Sequence, residues 1–238
     1  MKKRIPALTR SDFEKQLLNA WDISDGPPGF RAELSEESLK RLYVHFQELR
    51  RWNAVQSLVG PGTASETVER HYAESLAAFH WFQPKDRCVV DMGSGGGFPG
   101  WILAAVCPEL EFWLIEPRQK KCAFLEACSR KSGLSCHILD VRVDRALPIG
   151  LPPRVDVVTC RALRLLPCHY ESFRQHSPNV RFFLWCGGGD LDLAPGWEIL
   201  RQKRLPNSEE RRLVEIAWRP SFRKSGSESS EPSFRSSS

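Results

Sequence analysis

Residues 91–100 read Asp91-Met92-Gly93-Ser94-Gly95-Gly96-Gly97-Phe98-Pro99-Gly100 and follow directly on the apolar run Cys88-Val89-Val90. A short apolar run cut off by a glycine-rich turn is the pattern of a buried parallel strand, and the stretch from Trp101 to Val106 behind it suits a helix. A strand, a glycine loop and a helix in that order form a turn of the nucleotide-binding type. Glycine suits such a loop because a Cβ would keep the backbone away from a ligand and because the turn can require positive φ. The spacing is G-x-G-x-G, and Phe98 stands where the dinucleotide fingerprint has its last glycine. This favours S-adenosylmethionine, which has no pyrophosphate to cradle, over the NAD of an oxidoreductase. Gly93, Ser94, Gly95, Gly97 and Phe98 are therefore expected to touch the cofactor.

Downstream, Glu111-Phe112-Trp113-Leu114-Ile115 reads as a second strand ending in Glu116. An acid about 20 residues beyond the first glycine, at a strand end, can accept both hydroxyls of a ribose. A helix is expected over 118–132, a strand near 135–139 and a stronger one over 155–160. Then come a helix over 166–176 and the strand 181–186, closed by Gly187-Gly188-Gly189. Two late β-type runs, 197–205 and 211–218, flank Pro206-Asn207-Ser208 and read as an antiparallel hairpin at the sheet edge. Alternating strands and helices with such a hairpin predict an α/β fold: a Rossmann-like, doubly wound, mostly parallel sheet with one reversed strand. Asp91, inside an apolar strand end, is costly to bury unless paired, so it should hold loop amides or face the methionine ammonium of the cofactor. Asp140 and Val141, just after the third strand, stand where an adenine contact is expected.

Upstream the period is helical. Ser11-Asp12-Phe13-Glu14 has capping-box spacing before Leu17, Leu18 and Trp21, and Ser35 is a second start signal before Leu39, Leu42, Tyr43, Phe46 and Leu49. A third helix is expected over 65–82, with Val68, Tyr72, Leu76 and Phe79 on one stripe and Pro84 closing it. The chain thus divides into a helical cap (1–84), a Rossmann-like core (85–219) and a tail (220–238). The tail is rich in Ser, Arg and Glu with almost nothing to bury, so disorder is expected there.

The formal net charge of +5 excludes a uniformly basic coat but leaves room for a basic face. The eight cysteines form no Cys-x-x-Cys pair and no Cys/His cluster at zinc spacing, so no metal is expected. The basic start has no apolar segment behind it and nothing approaches the roughly 20 apolar residues of a membrane span, which predicts a soluble, cytoplasmic protein, taken as a monomer.

The run from Asp91 to Gly100 closely resembles the D-x-G-[ST]-G-x-G-x-P-G signature of the RsmG (GidB) family, the small-subunit ribosomal RNA guanine-N7 methyltransferases. Arg51-Trp52-Asn53 resembles that family's K-W-N, and Arg70-His71-Tyr72-Ala73-Glu74-Ser75 its R-H-x-x-D-S. Arg142-Val143 resembles its R-[VA] after the third strand, and Arg161-Ala162 its S-R-A after the fourth. The resemblance implies methyl transfer to N7 of a guanine, with small-subunit ribosomal RNA or its assembly particle as partner. It implies that Arg70, Arg142 and Arg161 hold RNA phosphates or the guanine O6 edge, that His71 stacks on or bonds the base, and that Arg161 also borders the cofactor. Trp52, Asn53, Arg70 and His71 would then face the cofactor pocket from the cap. Read as residues alone, Arg70 can instead pair with Glu74 one helical turn away.

The sequence also departs from the family pattern. Ser57-Leu58-Val59 replaces N-L-T, Glu74 and Glu116 each replace an Asp, and the lysine before the glycine after the fifth strand is absent near Cys186-Gly187. Guanine N7 carries an in-plane lone pair and no proton, so its methylation needs placement and no general base. The competing reading, a cytosine-C5 methyltransferase with Cys160 as nucleophile, lacks the Asp-x-Pro-Cys context it would require.

Overall fold

A computed structural model of the chain describes residues 4–21, 34–143, 147–189, 191, 193–206 and 208–219. The expected tail over 220–238 lies outside the described residues. Seven strands form one sheet: β1 (Cys88–Met92), β2 (Glu111–Ile115), β3 (His137–Leu139), β4 (Val157–Arg161), β5 (Arg181–Cys186), β6 (Trp197–Arg204) and β7 (Arg212–Trp218), in the order β3-β2-β1-β4-β5-β7-β6. The pairs among β1 to β5 are parallel, and β7 runs antiparallel to both β5 and β6. The late runs therefore do form the expected hairpin. Its second strand enters the sheet beside β5, leaving β6 at the edge. The strand order reverses between β1 and β4, which opens a crevice at their carboxyl ends, where the glycine loop begins.

The sheet is sorted by the period of two along its strands. On one face Val89, Phe112 and Phe183 join a core with Trp101 of α4 (Gly100–Val106) and Phe124 of α5 (Gln119–Ser132). On the other, Val90, Met92, Val158 and Phe182 pack with Tyr170 and Phe173 of α6 (Pro167–His176). Strand β4 starts at Val157 rather than at 155. The Val155 N–H donates to Ser177 Oγ at 2.8 Å, and the Asp156 carboxylate accepts the N–H groups of Arg87 and Cys88, so these two residues serve as a brace ahead of the ladder.

The cap packs on the first face. Phe13 and Leu17 of α1 (Arg10–Trp21) and Leu42, Phe46 and Leu49 of α2 (Glu36–Asn53) belong to the same core cluster as Trp101 and Phe183. Ser35 caps α2 as expected, accepting from the Ser38 N–H. Helix α1 starts earlier than its Ser11 signal suggested, because Thr9 Oγ1 accepts from the Asp12 N–H at 3.1 Å and donates to the Asp12 carboxylate.

The third expected helix is broken into short turns: 3₁₀ at Ala64–Glu66, π at Val68–Ala73, α3 at Glu74–Leu76 and 3₁₀ again at Phe79–Trp81. Side chains of the sheet draw off its carbonyls. Arg161 Nη2 donates to the Arg70 carbonyl at 2.6 Å and Trp185 Nε1 to the Glu74 carbonyl at 2.7 Å, so a regular i to i−4 ladder is not kept there.

Candidate functional site

A cavity of about 590 Å³ opens at the carboxyl ends of β1, β2 and β4. Its floor is Gly93 to Gly96 with Phe98, one wall is Ile115 to Arg118, and another is Val141 to Val143. Arg161 at the end of β4 closes it together with Ala162 and Leu163, while Leu58 and His71 reach it from the cap. Gly93 and Gly95 hold φ of 75° and 57°, the left-handed region where a side chain is strained, and so the loop can fold back along the end of β2.

Glu116 sits 4% exposed at that end, and its carboxylate organises the loop: Gly95 N–H donates to Oε2 at 2.9 Å and Arg118 N–H to Oε1 at 3.0 Å. Each oxygen keeps lone-pair capacity for a further donor on the cavity side. Asp91 lies under the loop. Its Oδ1 accepts from Thr159 Oγ1 at 2.6 Å, and a Cβ on Gly100 would come within 2.5 Å of its carboxylate, so strand end and α4 start are in contact here. Burial raises the Asp91 carboxyl to about 6.

The cap grips the same loop from behind. The fully buried His45 of α2 bonds Gly96 O through Nε2 at 3.0 Å and Tyr72 Oη through Nδ1 at 2.6 Å. The carbonyl can only accept, so Nε2 carries the proton and Tyr72 donates to Nδ1. The His45 ring stacks on Trp101 at 4.6 Å, and a Cβ on Gly97 would stand 2.8 Å from its Nε2. Gly97 thus makes room for His45 rather than lining the cavity.

Burial lowers His45 from 6.5 to about 3. His71 is lowered to about 3 as well, by burial first and then by the charges of Arg161, Arg70 and Arg211. Between pH 6.5 and 3 the unfolded chain binds protons that these folded histidines refuse, so stability falls as pH drops through that window. Asp91 acts in the opposite sense, because its folded carboxyl takes up a proton near 6, before the unfolded one does. By pH 5 each histidine is expected to withdraw about 2 kcal/mol while Asp91 returns about 1.4 kcal/mol. Urea unfolding at pH 7 and pH 5 should show a net loss of about 2.5 kcal/mol, and an unmoved midpoint would contradict neutral buried imidazoles.

Beside His71 lies a cationic cluster around one buried acid. Glu74 is 0% exposed and accepts from Arg161 Nη2 at 2.7 Å and from Arg211 Nη2 at 2.6 Å, with Arg70 Nε at 3.6 Å. Arg161 Nη1 is buried without a hydrogen-bond partner. His71 Nε2 pairs with Thr63 Oγ1 at 2.9 Å, and its ring lies 5.0 Å from that of Phe98.

The structure brings Gly93, Ser94, Gly95, Phe98, Glu116, Val141, Arg142, His71 and Arg161 to one cavity. Trp52, Asn53, Arg70, Asp91, Gly97 and Asp140 are not among its lining residues. Asp140 is exposed, Trp52 donates to Glu48 at 3.1 Å, and Asn53 Oδ1 accepts the N–H groups of Leu58 and Val59, both at 2.9 Å. Arg70 takes the pairing with Glu74 that its spacing allowed. Cys160 is buried, its thiol pushed up by burial and donating to the Leu163 carbonyl, so it lacks the thiolate of a nucleophile. Sequence reasoning missed His45, which reads as an ordinary core position of α2, and Arg211, whose only sequence signal is a basic residue at a strand start.

The family model described as GidB, rRNA small subunit methyltransferase G, matches residues 37–188. The chain is 36% identical over 134 residues to the ribosomal RNA small subunit methyltransferase G of Paramagnetospirillum magneticum, covering 56% of this chain and 62% of that relative, short of two thirds of its length. It is 34% identical over 186 residues to the protein of the same name from Jannaschia sp., covering 74% and 86%. Among solved structures it is similar to a mutant of MtNAS in complex with S-adenosylmethionine, with a TM-score of 0.51 and 15% identity over 88% of this chain and 89% of that one. At that identity the likeness concerns the fold.

Proposed function

Because the chain belongs to the rRNA small subunit methyltransferase G family, we propose that it transfers a methyl group from S-adenosylmethionine to N7 of a guanine in small-subunit ribosomal RNA, free or within an assembly particle. The observation that carries this reading is one cavity with a carboxylate-organised glycine loop on one side and a cationic, base-poor wall on the other.

The residues fit the cofactor. Glu116, buried with lone-pair capacity facing the cavity, would accept the ribose hydroxyls, Gly93 and Gly95 leave the backbone open to close approach, and Val141, Ile115 and Leu163 offer apolar surface for adenine. When bound, S-adenosylmethionine supplies a methyl group on a cationic sulfur. The remaining work is placement. Arg161, with Nη1 uncommitted, would donate to the guanine O6 edge or to a phosphate, Arg142 would hold RNA phosphate, and His71 would lie against the base. His71 is neutral and a poor proton acceptor, and Glu116, the only carboxylate among the described lining residues, is already engaged by loop amides. A guanine N7 has no proton to remove, so a site without a free base suits it.

We assign its place of action to the cytoplasm and read the active form as a monomer. No helix among the described residues is long and apolar enough to cross a membrane.

Radiolabelled methyl transfer to small-subunit RNA, as naked RNA and as particle, followed by nucleoside analysis, is the test. Label in 7-methylguanosine is expected. Label in another nucleoside would overturn the N7 assignment, and S-adenosylmethionine binding without any label would overturn methylation of this RNA.

A further inference from the structure

A second cavity, of about 540 Å³, lies where the N-terminal segment passes the end of α2. Arg4 and Arg50 line it, with the polar side chains of Gln56 and Ser57 beside them. Neighbouring acid is already taken: Glu48 receives Lys131 at 2.5 Å and the Trp52 indole, with Arg51 at 3.9 Å. Arg50 Nε is buried with no hydrogen-bond partner, and among the described residues neither Arg50 nor Arg4 has an acidic partner. Arg50 is partly exposed, its guanidinium 6.0 Å over the Phe46 ring, and it borders the cavity with a buried Nε–H that no protein group takes up, an arrangement that an anion would complete.

The loop 53–59 separates this cavity from the cofactor cavity. Asn53 Oδ1 fixes it by accepting from Leu58 and Val59, and Gln56 Nε2 donates to the Lys120 carbonyl at 3.1 Å at the start of α5. Leu58 lines the cofactor cavity, while Gln56, Ser57 and Val59 line the second. The two cavities therefore meet at the loop 53–59, which lends lining residues to both.

We propose that the cavity of Arg4 and Arg50 is an RNA-backbone site that takes a phosphodiester flanking the methylated base, so that the cap anchors the strand while the core methylates it. This rests on the RNA methyltransferase reading above. Arg is the suitable residue, because its planar fork donates two parallel N–H groups to phosphate oxygens.

The test measures binding of small-subunit RNA by fluorescence anisotropy across a salt series, for the wild type, Arg50→Gln, Arg50→Lys and Arg4→Gln. Each lost phosphate contact on a single strand flattens the slope of log K against log salt by about 0.7. Arg50→Gln is expected to lose about 0.7 in slope and roughly tenfold in affinity, with S-adenosylmethionine binding unchanged by calorimetry. Arg50→Lys should keep the slope, because the charge stays. Arg4 is exposed, so Arg4→Gln gives a reading of the slope even if Arg50→Gln does not fold. If Arg50 serves only the carbonyl end of α2, its replacement lowers stability and leaves the slope of both Gln variants at the wild-type value, which overturns the inference. A wild type that methylates no RNA overturns the parent reading instead. Methylation by the wild type with unchanged variant slopes overturns this inference alone.

Discussion

Replacing Glu116 by alanine is expected to weaken S-adenosylmethionine binding about 100-fold while the sheet stays folded. Two hydroxyl donors of a ribose meeting a buried carboxylate make charge-assisted hydrogen bonds, each contributing about 1.5 kcal/mol or more, and two of them account for a factor of that size. The same carboxylate holds the Gly95 and Arg118 N–H groups, so its loss also loosens the glycine loop beside the cavity. Both effects act in one direction. Glu116→Asp keeps the charge at shorter reach and should stay within about tenfold of the parent. Isothermal calorimetry measures this directly, with a thermal melt to show that the fold is kept. Unchanged affinity in the alanine variant would remove Glu116 from the cofactor site.

The second large effect is expected at Glu74. This carboxylate is completely buried and receives Arg161 and Arg211, with Arg70 close by. Glu74→Ala leaves these cations to one another in a site from which water is largely removed. Breaking a buried ion pair by deleting one partner costs about 3–5 kcal/mol. For a chain of this size that corresponds to a fall of roughly 10 °C in Tm. Methyl transfer should drop further than S-adenosylmethionine affinity, because Glu74 bonds Arg161 and does not line the cofactor cavity. Glu74→Asp should recover most of the stability. A melt of Glu74→Ala within a few degrees of the wild type would mean that the cluster is solvated and that Glu74 does not hold Arg161 in place.

The opposing pKa shifts of His45 and Asp91 come from burial in the same neighbourhood, one under the cap and one under the loop. In both cases burial disfavours the charged form, which leaves His45 neutral and brings the Asp91 carboxyl closer to protonation.

Much of the core could be read from the chain. The apolar runs of β1, β2 and β5 end in glycine or an acid, and their bounds agree with the expected ones because each is a short, largely buried run cut off by a polar or glycine residue. The loop and Glu116 were legible for a related reason: a binding turn needs glycine where φ is positive and an acid at the next strand end, and both are local requirements.

The cap resisted the same reading. Residues 65–82 carry a clean helical stripe, yet Arg161 and Trp185, distant in sequence, capture the Arg70 and Glu74 carbonyls and divide the helix into turns. Asn53 was expected at the cofactor and is instead spent on two amides of its own loop. His45 and Arg211 have no signal in a single sequence, because what makes them matter is the partner each meets across the fold, Gly96 for one and Glu74 for the other. The sequence alone determined the α/β core, the glycine loop and the acid that follows it, since these depend on backbone conformation and on the period of apolar side chains. Only the tertiary structure decided which cations surround Glu74 and how the cap grips the loop, since pairing of buried charges and hydrogen-bonding groups depends on residues far apart in the chain being brought within about 3 Å.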